Sequence, residues 1–188
     1  MLPILPFTLF LLVIAATLLR GRSVRTDTGI NAFAFLEARG LQRVAGLAFA
    51  LSIALLVAAT ALTAGGHLAT SPATLMPGTV IMATGALFVL VAQIQMGGAW
   101  RVGVRDGDAP IFVTRGLFRH SRNPIFLGMI AMAVGAALAV ATWWAWIAAA
   151  AFALACHMQV RIEEAHLAHA FGTDYRRFCG QVPRWLFF

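Results

Sequence analysis

The sequence predicts an all-α membrane protein. Five transmembrane helices run with the N-terminus outside and the C-terminus inside. They include a C-terminal helical hairpin and are followed by a cytosolic amphipathic helix. Three observations carry this. Of 188 residues, 61% are hydrophobic and only 11% charged, far from the balance of a soluble domain. The apolar residues gather in five runs, Leu2–Leu19, Leu41–Leu62, Gly78–Met96, Pro124–Val140 and Trp143–Val160, each near the about 17–25 residues that cross a bilayer as a helix. The connections between them alternate between arginine-rich and uncharged, the pattern that the positive-inside rule imposes on an odd number of spans.

The first run has no positive charge before it, and Arg20, Arg22 and Arg25 follow it. It therefore reads as an uncleaved anchor and not as a signal peptide. The Arg20–Gly40 loop is basic, and Arg39 and Arg43 flank the second run. The Thr63–Pro77 connection is uncharged, the Gly97–Asn123 loop carries five arginines, and Ala141-Thr142 carries none. Trp143, Trp144 and Trp146 open the fifth run, where tryptophan marks the outer headgroup level. The fourth and fifth runs are joined by almost no loop and form an antiparallel hairpin. Gly128, Gly135, Ala136, Ala137 and Ala148 to Ala151 are expected to let these two backbones approach closely. Residues 161–178 read as one more, amphipathic helix. The chain is one membrane domain, 1–188, with its first two helices and basic loop in 1–63 and its core in 78–188.

All 14 basic residues are arginine, and the net charge is +7 with a pI near 11.4. They lie between apolar runs and not on a basic helix or aromatic sheet, which excludes nucleic acid as a partner. Cys156 and Cys179 form no disulfide framework. Glu163 and His166 have the Glu-x-x-His spacing of di-iron helices, which need a second such motif; with none present, no metal is expected.

Two stretches are unusually polar for so apolar a chain. In the first, Asn123-Pro124 reads as an N-cap and first helical residue. The amides of such a helix start can hold an anion, and Arg119 and Arg122 would reinforce them. In the second, Glu163 and Glu164 directly follow a span, where a carboxylate is paired or functional; Arg161 is a candidate partner. Successive helical residues point about 100° apart, so one Glu can face a site while the other does not.

Together these stretches resemble the integral-membrane methyltransferases of the isoprenylcysteine carboxyl methyltransferase and phospholipid N-methyltransferase superfamily. The resemblance rests on Val113-Thr114-Arg115-Gly116-Leu117-Phe118, on Arg122-Asn123-Pro124-Ile125-Phe126-Leu127-Gly128, on Glu163-Glu164-Ala165-His166-Leu167, on Phe171-Gly172-Thr173-Asp174-Tyr175 and on Val182-Pro183-Arg184. It covers roughly residues 95–185. Asn123 stands where the family usually has His, and Phe126 where it has Tyr.

The resemblance implies S-adenosylmethionine as cofactor, with contacts at Pro110, Ile111, Phe112, Val113, Phe118, Asn123, Pro124, Ile125, Phe126, Glu163 and Arg184, and Trp185 near the adenine. It implies methyl transfer to a lipophilic carboxylate, amine or thiol, entering from the bilayer at the cytosolic side of a bacterial inner membrane. The prenylcysteine enzymes hold the substrate carboxylate with an Arg four residues before the first Glu. Here that position is Gln159, and Arg161 is the nearest arginine. Arg161 and Glu164 are thus the catalytic candidates, and Glu164, His120 and His166 are the possible bases for an amine or thiol acceptor. Two other readings are a sterol-reductase-like enzyme, with Arg119 or Arg122 on the 2′-phosphate of NADPH, and a non-enzymatic protein that keeps the scaffold.

Overall fold

The computed structural model describes residues 2–29, 40–100 and 113–186. The described chain is helical. After a short 3-10 turn, Leu2–Ile4, come α1 (Leu5–Thr28), α2 (Gly40–Ala64) and α3 (Pro72–Met96). Two further 3-10 turns, Gly97–Ala99 and Gly116–Arg119, precede α4 (Pro124–Val140) and α5 (Trp143–Gln181).

Local chemistry sets the helix ends. Gly29 stops α1 in the left-handed conformation, φ 72°, donating its N–H to the Arg25 carbonyl, the glycine stop that costs no Cβ clash. Ser71 caps α3 by accepting from the Ala73 N–H at 3.3 Å, and Pro72 fills the first turn. The polar residues inside α2 are satisfied within the helix: Thr60 and Thr63 donate their hydroxyls to carbonyls three and four residues back, which makes them tolerable in an apolar bundle.

Helices α1, α2, α3 and α5 are long and apolar enough to cross a membrane. Helix α4 has only 17 residues, about 25 Å at 1.5 Å per residue, just under the ~30 Å hydrocarbon core. Outward-facing leucines such as Leu47, Leu51, Leu87 and Leu154 are exposed, as a lipid-facing surface requires. The core between the helices is built on Phe10, Leu56, Met82, Val89, Met132 and Phe152. Helix α2 meets α5 through Phe49 and Phe152, ring centroids 4.7 Å apart.

The closest packing differs from the sequence expectation. Gly128 and Gly135 face α3 and not the hairpin partner α5. A Cβ on Gly85 would lie 2.5 Å from the Gly128 carbonyl oxygen, and one on Gly135 would lie 2.6 Å from that of Gly78. Four glycines at seven-residue spacing thus bring α3 and α4 together backbone against backbone, with van der Waals contact as the reward. The sequence-adjacent pair is joined instead by a one-residue reversal: Ala141 sits at φ 56° and donates to the Ala137 carbonyl at 2.8 Å.

This antiparallel register positions the site. With Gly85 opposite Gly128, Pro124 is level with Val89. Helix α3 therefore continues seven residues, about 10 Å, beyond the start of α4. The α4 N-terminus is thereby recessed about 10 Å from the end of α3, at the arginine-bearing end of the bundle. At that end Gln93 Nε2 donates to Thr17 Oγ1 at 2.9 Å, and Val24 packs on Trp100. Residues 161–178 do not form a separate helix. They continue α5 without interruption to Gly172, where φ 52° and ψ −115° break the helical path. Glycine alone takes that conformation at low cost.

Candidate functional site

A three-part ion cluster adjoins the recessed helix start. Glu164, 9% exposed, projects from α5. Arg122, just before α4, donates Nε to Glu164 Oε1 at 3.0 Å. Arg184, after α5, donates Nε to Glu164 Oε2 at 2.9 Å, and its second nitrogen lies 2.7 Å from the same oxygen. The second nitrogen of Arg122, Nη1, donates to the carbonyls of Cys179 and Val182 at 3.1 and 3.0 Å, and its backbone N–H to that of Pro183. One guanidinium thus ties together the approach to α4, the body of α5 and the C-terminal segment. A planar fork carries its donors on separate nitrogens and so reaches acceptors on separate elements, whereas the donors of an ammonium all radiate from one atom.

Burial alone would raise the Glu164 carboxyl, but the hydrogen bond from Arg184 and the charge of Arg122 outweigh it and hold it below the ordinary carboxylate range. Its hydrogen bond to Glu164 in turn raises Arg184. Burial, and next the Glu164 charge, push the nearby Tyr175 hydroxyl up. Tyr175 is kept neutral as part of the packing of Phe178 and Val182.

Asn123 stands at the N-cap position as expected, but its side chain does not cap α4. Its Nδ2 donates to Glu164 Oε1 at 3.2 Å and to the Arg184 carbonyl at 3.3 Å. Drawn into the ion cluster, it leaves the first amides of α4 without a side-chain acceptor. That helix start, with buried Pro124 at its tip, keeps its capacity for an anion.

The remaining candidates divide. Phe118 is buried and Arg184 half-buried, while half-buried Ile125 and Phe126 pack against the apolar core. Val113 begins the described part of its loop, while Pro110, Ile111 and Phe112 lie outside the described residues. Glu163 accepts at Oε1 from Gln159 Nε2 at 3.0 Å. The adjacent glutamates thus serve different faces, as a 100° step dictates. Arg161 is exposed, and it is Arg122 and Arg184 that pair with Glu164. Among the described residues no cluster of His, Cys, Asp and Glu could hold a metal.

Sequence reasoning missed two contributors. Ser121 donates Oγ to the Arg184 carbonyl at 3.2 Å and accepts from the Asn123 N–H. Gln95, at the end of α3, accepts from the Leu117 N–H at 2.7 Å, fastening the 3-10 turn to the recess wall. Gly116 makes this possible: it lies at φ 63°, and a Cβ there would collide with the Gln95 amide. A serine three residues before the helix start was the one available signal; Gln95 had none, because its partner is a backbone amide 22 residues away.

No curated protein and no solved structure matches the chain significantly. The family model for phospholipid methyltransferases, PEMT, matches residues 73–174. That segment contains the glycine-packed α3–α4 pair, the recessed helix start and both glutamates. By this match over more than half its length, the chain belongs to the phospholipid methyltransferase family.

Proposed function

We propose that the protein is an S-adenosylmethionine-dependent methyltransferase, similar to the isoprenylcysteine carboxyl methyltransferases, that acts on a lipophilic acceptor at the cytosolic side of a bacterial inner membrane. The observation that carries this is the uncapped N-terminus of α4, held by the Arg122–Glu164–Arg184 cluster, in a chain of a methyltransferase family. The described arginine-bearing segments (Arg20 to Arg25, Arg43 and Arg115 to Arg122) belong to the same end of the bundle. The connections at the opposite end, 65–71 and 141–142, are uncharged. This supports an outside N-terminus, an inside C-terminus and a cytosolic site.

The residues present fit the cofactor. A carboxylate suits the free amides at the start of α4, Glu163 can accept from an ammonium or ribose hydroxyls, and half-buried Trp185 offers an apolar face for an adenine ring. When bound, S-adenosylmethionine would supply an electrophilic methyl on its sulfonium. The protein's own share is positioning. Ser121, Arg122 and Asn123 fix the helix start. The ion cluster pins Val182–Arg184 over it and limits water. Glu164 holds this geometry and does not take a proton: its two arginines stabilise the carboxylate. A carboxylate acceptor needs no base. For an amine or thiol, His166 is the candidate with an uncommitted nitrogen, its Nε2 being buried with no hydrogen-bond partner. Gln159, engaged by Glu163, does not replace an arginine for a substrate carboxylate, which leaves exposed Arg161 in that part.

The test is incubation of purified protein with methyl-labelled S-adenosylmethionine and total bacterial lipid extract. Label in the organic phase is expected. No labelled lipid, together with NADPH-dependent reduction of a sterol-like substrate, would overturn the assignment.

A further inference from the structure

A polar cleft adjoins the ion cluster through Val182, and the proposed transfer reaction makes no use of it. It is an open cleft of about 500 Å³. One wall is the loop before α4, with Thr114 and Arg119; the other is the last two turns of α5, with Asp174, Arg177 and Gln181. These α5 positions recur at three- and four-residue spacing and so share one helix face. Phe178 and Val182, both buried, form the floor.

The donor set is specific in its chemistry. Two guanidiniums, a hydroxyl and an amide converge from two separate elements, opposed by one carboxylate. Of the loop's arginines, Arg122 is consumed by Glu164, whereas Arg119 is exposed and serves neither the ion cluster nor helix packing. Arg177 is likewise exposed beyond the Gly172 break. That break turns the end of α5 so that its polar face meets the loop. With two positive groups and one negative, the cleft suits a monoanion better than a dianion. Guanidinium forks match phosphate oxygens, and a site at the arginine-bearing end of a membrane bundle is within reach of headgroups.

We propose that the Arg119–Arg177 cleft binds the phosphodiester of an anionic membrane phospholipid, at a position separate from the recess of α4. The two sites share a wall, since Val182 lines the cleft and its carbonyl accepts from Arg122. Headgroup binding therefore steadies the C-terminal segment that covers the recess.

The test titrates the full-length protein, purified in an uncharged maltoside, with dioctanoyl phosphatidylglycerol, reading the thermal unfolding midpoint. The lipid is expected to raise the midpoint saturably. Arg119→Ala and Arg177→Ala should each raise the half-saturating concentration about fivefold, the effect of one arginine near a headgroup surface. Asp174→Asn should lower it. Each titration is read against its variant's own baseline, so a small loss of stability does not obscure it. Inorganic phosphate at equal concentration should shift the wild type far less. An equal shift with inorganic phosphate would reassign the cleft to a free anion. Unchanged titration in the double arginine variant, or weaker binding in Asp174→Asn, would overturn the proposal. The readout needs neither S-adenosylmethionine nor turnover, so its failure is distinct from failure of the methyl-transfer reading.

Discussion

Gly85→Ala should damage the site through packing alone. The added Cβ would lie 2.5 Å from the Gly128 carbonyl oxygen, whereas ordinary contact begins at 3.4 Å. The atom it meets is backbone, so no side chain can swing away, and α4 must move out by up to about 0.9 Å. Overpacking of this kind costs about 1–3 kcal/mol. Gly128 is one turn from Pro124, so most of the displacement reaches the start of α4. A misplacement near 1 Å in a positioned reaction costs about 100-fold in rate. Gly78→Ala provides the control. It makes an equivalent collision, 2.6 Å from the Gly135 carbonyl oxygen, but eleven residues, about 16 Å, from Pro124. The assays are thermal unfolding in detergent and initial rates of methyl transfer. Both variants should lose similar stability, and only Gly85→Ala should lose most of its rate. Equal rate losses, or no loss of stability in either, would refute the reasoning.

Removing the carboxylate in Glu164→Ala strands two guanidiniums, one nearly buried; the cost is roughly 3 kcal/mol, measured by detergent-phase unfolding at pH 7. Because the Glu164 carboxyl titrates lower in the folded protein than its ordinary value near 4.3, its contribution is complete above about pH 4.3. It is lost as the pH falls through the folded value. The stability gap between wild type and Glu164→Gln should therefore close on acidification below pH 4 and stay constant from pH 6 to 8. Arg122→Lys keeps the charge but not the fork, and should lose about 1.5–3 kcal/mol together with faster proteolysis after Tyr175. Single cysteines at His67 and Arg22, in a background without Cys156 and Cys179, test the orientation: an impermeant thiol reagent on spheroplasts should label position 67 and spare 22.

What the sequence displayed follows from the range of each interaction. The spans and the tight 141–142 reversal were visible because bilayer thickness and local backbone chemistry act on contiguous residues. The recess was visible only in part. Asn123-Pro124 marked the helix start, and Glu163-Glu164 marked a second element, since both are local signatures. That Arg122 and Arg184 converge on Glu164 was hidden, because this pairing spans 42 and 20 residues, and Arg161, adjacent in sequence, looked the nearer partner. The glycine pairing was misassigned to α5 for a similar reason: proximity in the chain favoured the hairpin, while the seven-residue register of Gly78 and Gly85 matched α4. The continuity of α5 through residue 171 was obscured by its change of composition from apolar to amphipathic, which alters its surroundings and not its helical propensity.

The central claim is that the start of α4 and Glu163 together hold S-adenosylmethionine. Equilibrium binding of labelled S-adenosylmethionine to the purified protein, wild type beside Glu163→Ala, tests it most directly. Saturable binding to the wild type is expected, undiminished by NADPH, with at least tenfold weaker binding to Glu163→Ala, about 1.4 kcal/mol. No saturable binding, or identical isotherms for the two proteins, would contradict it.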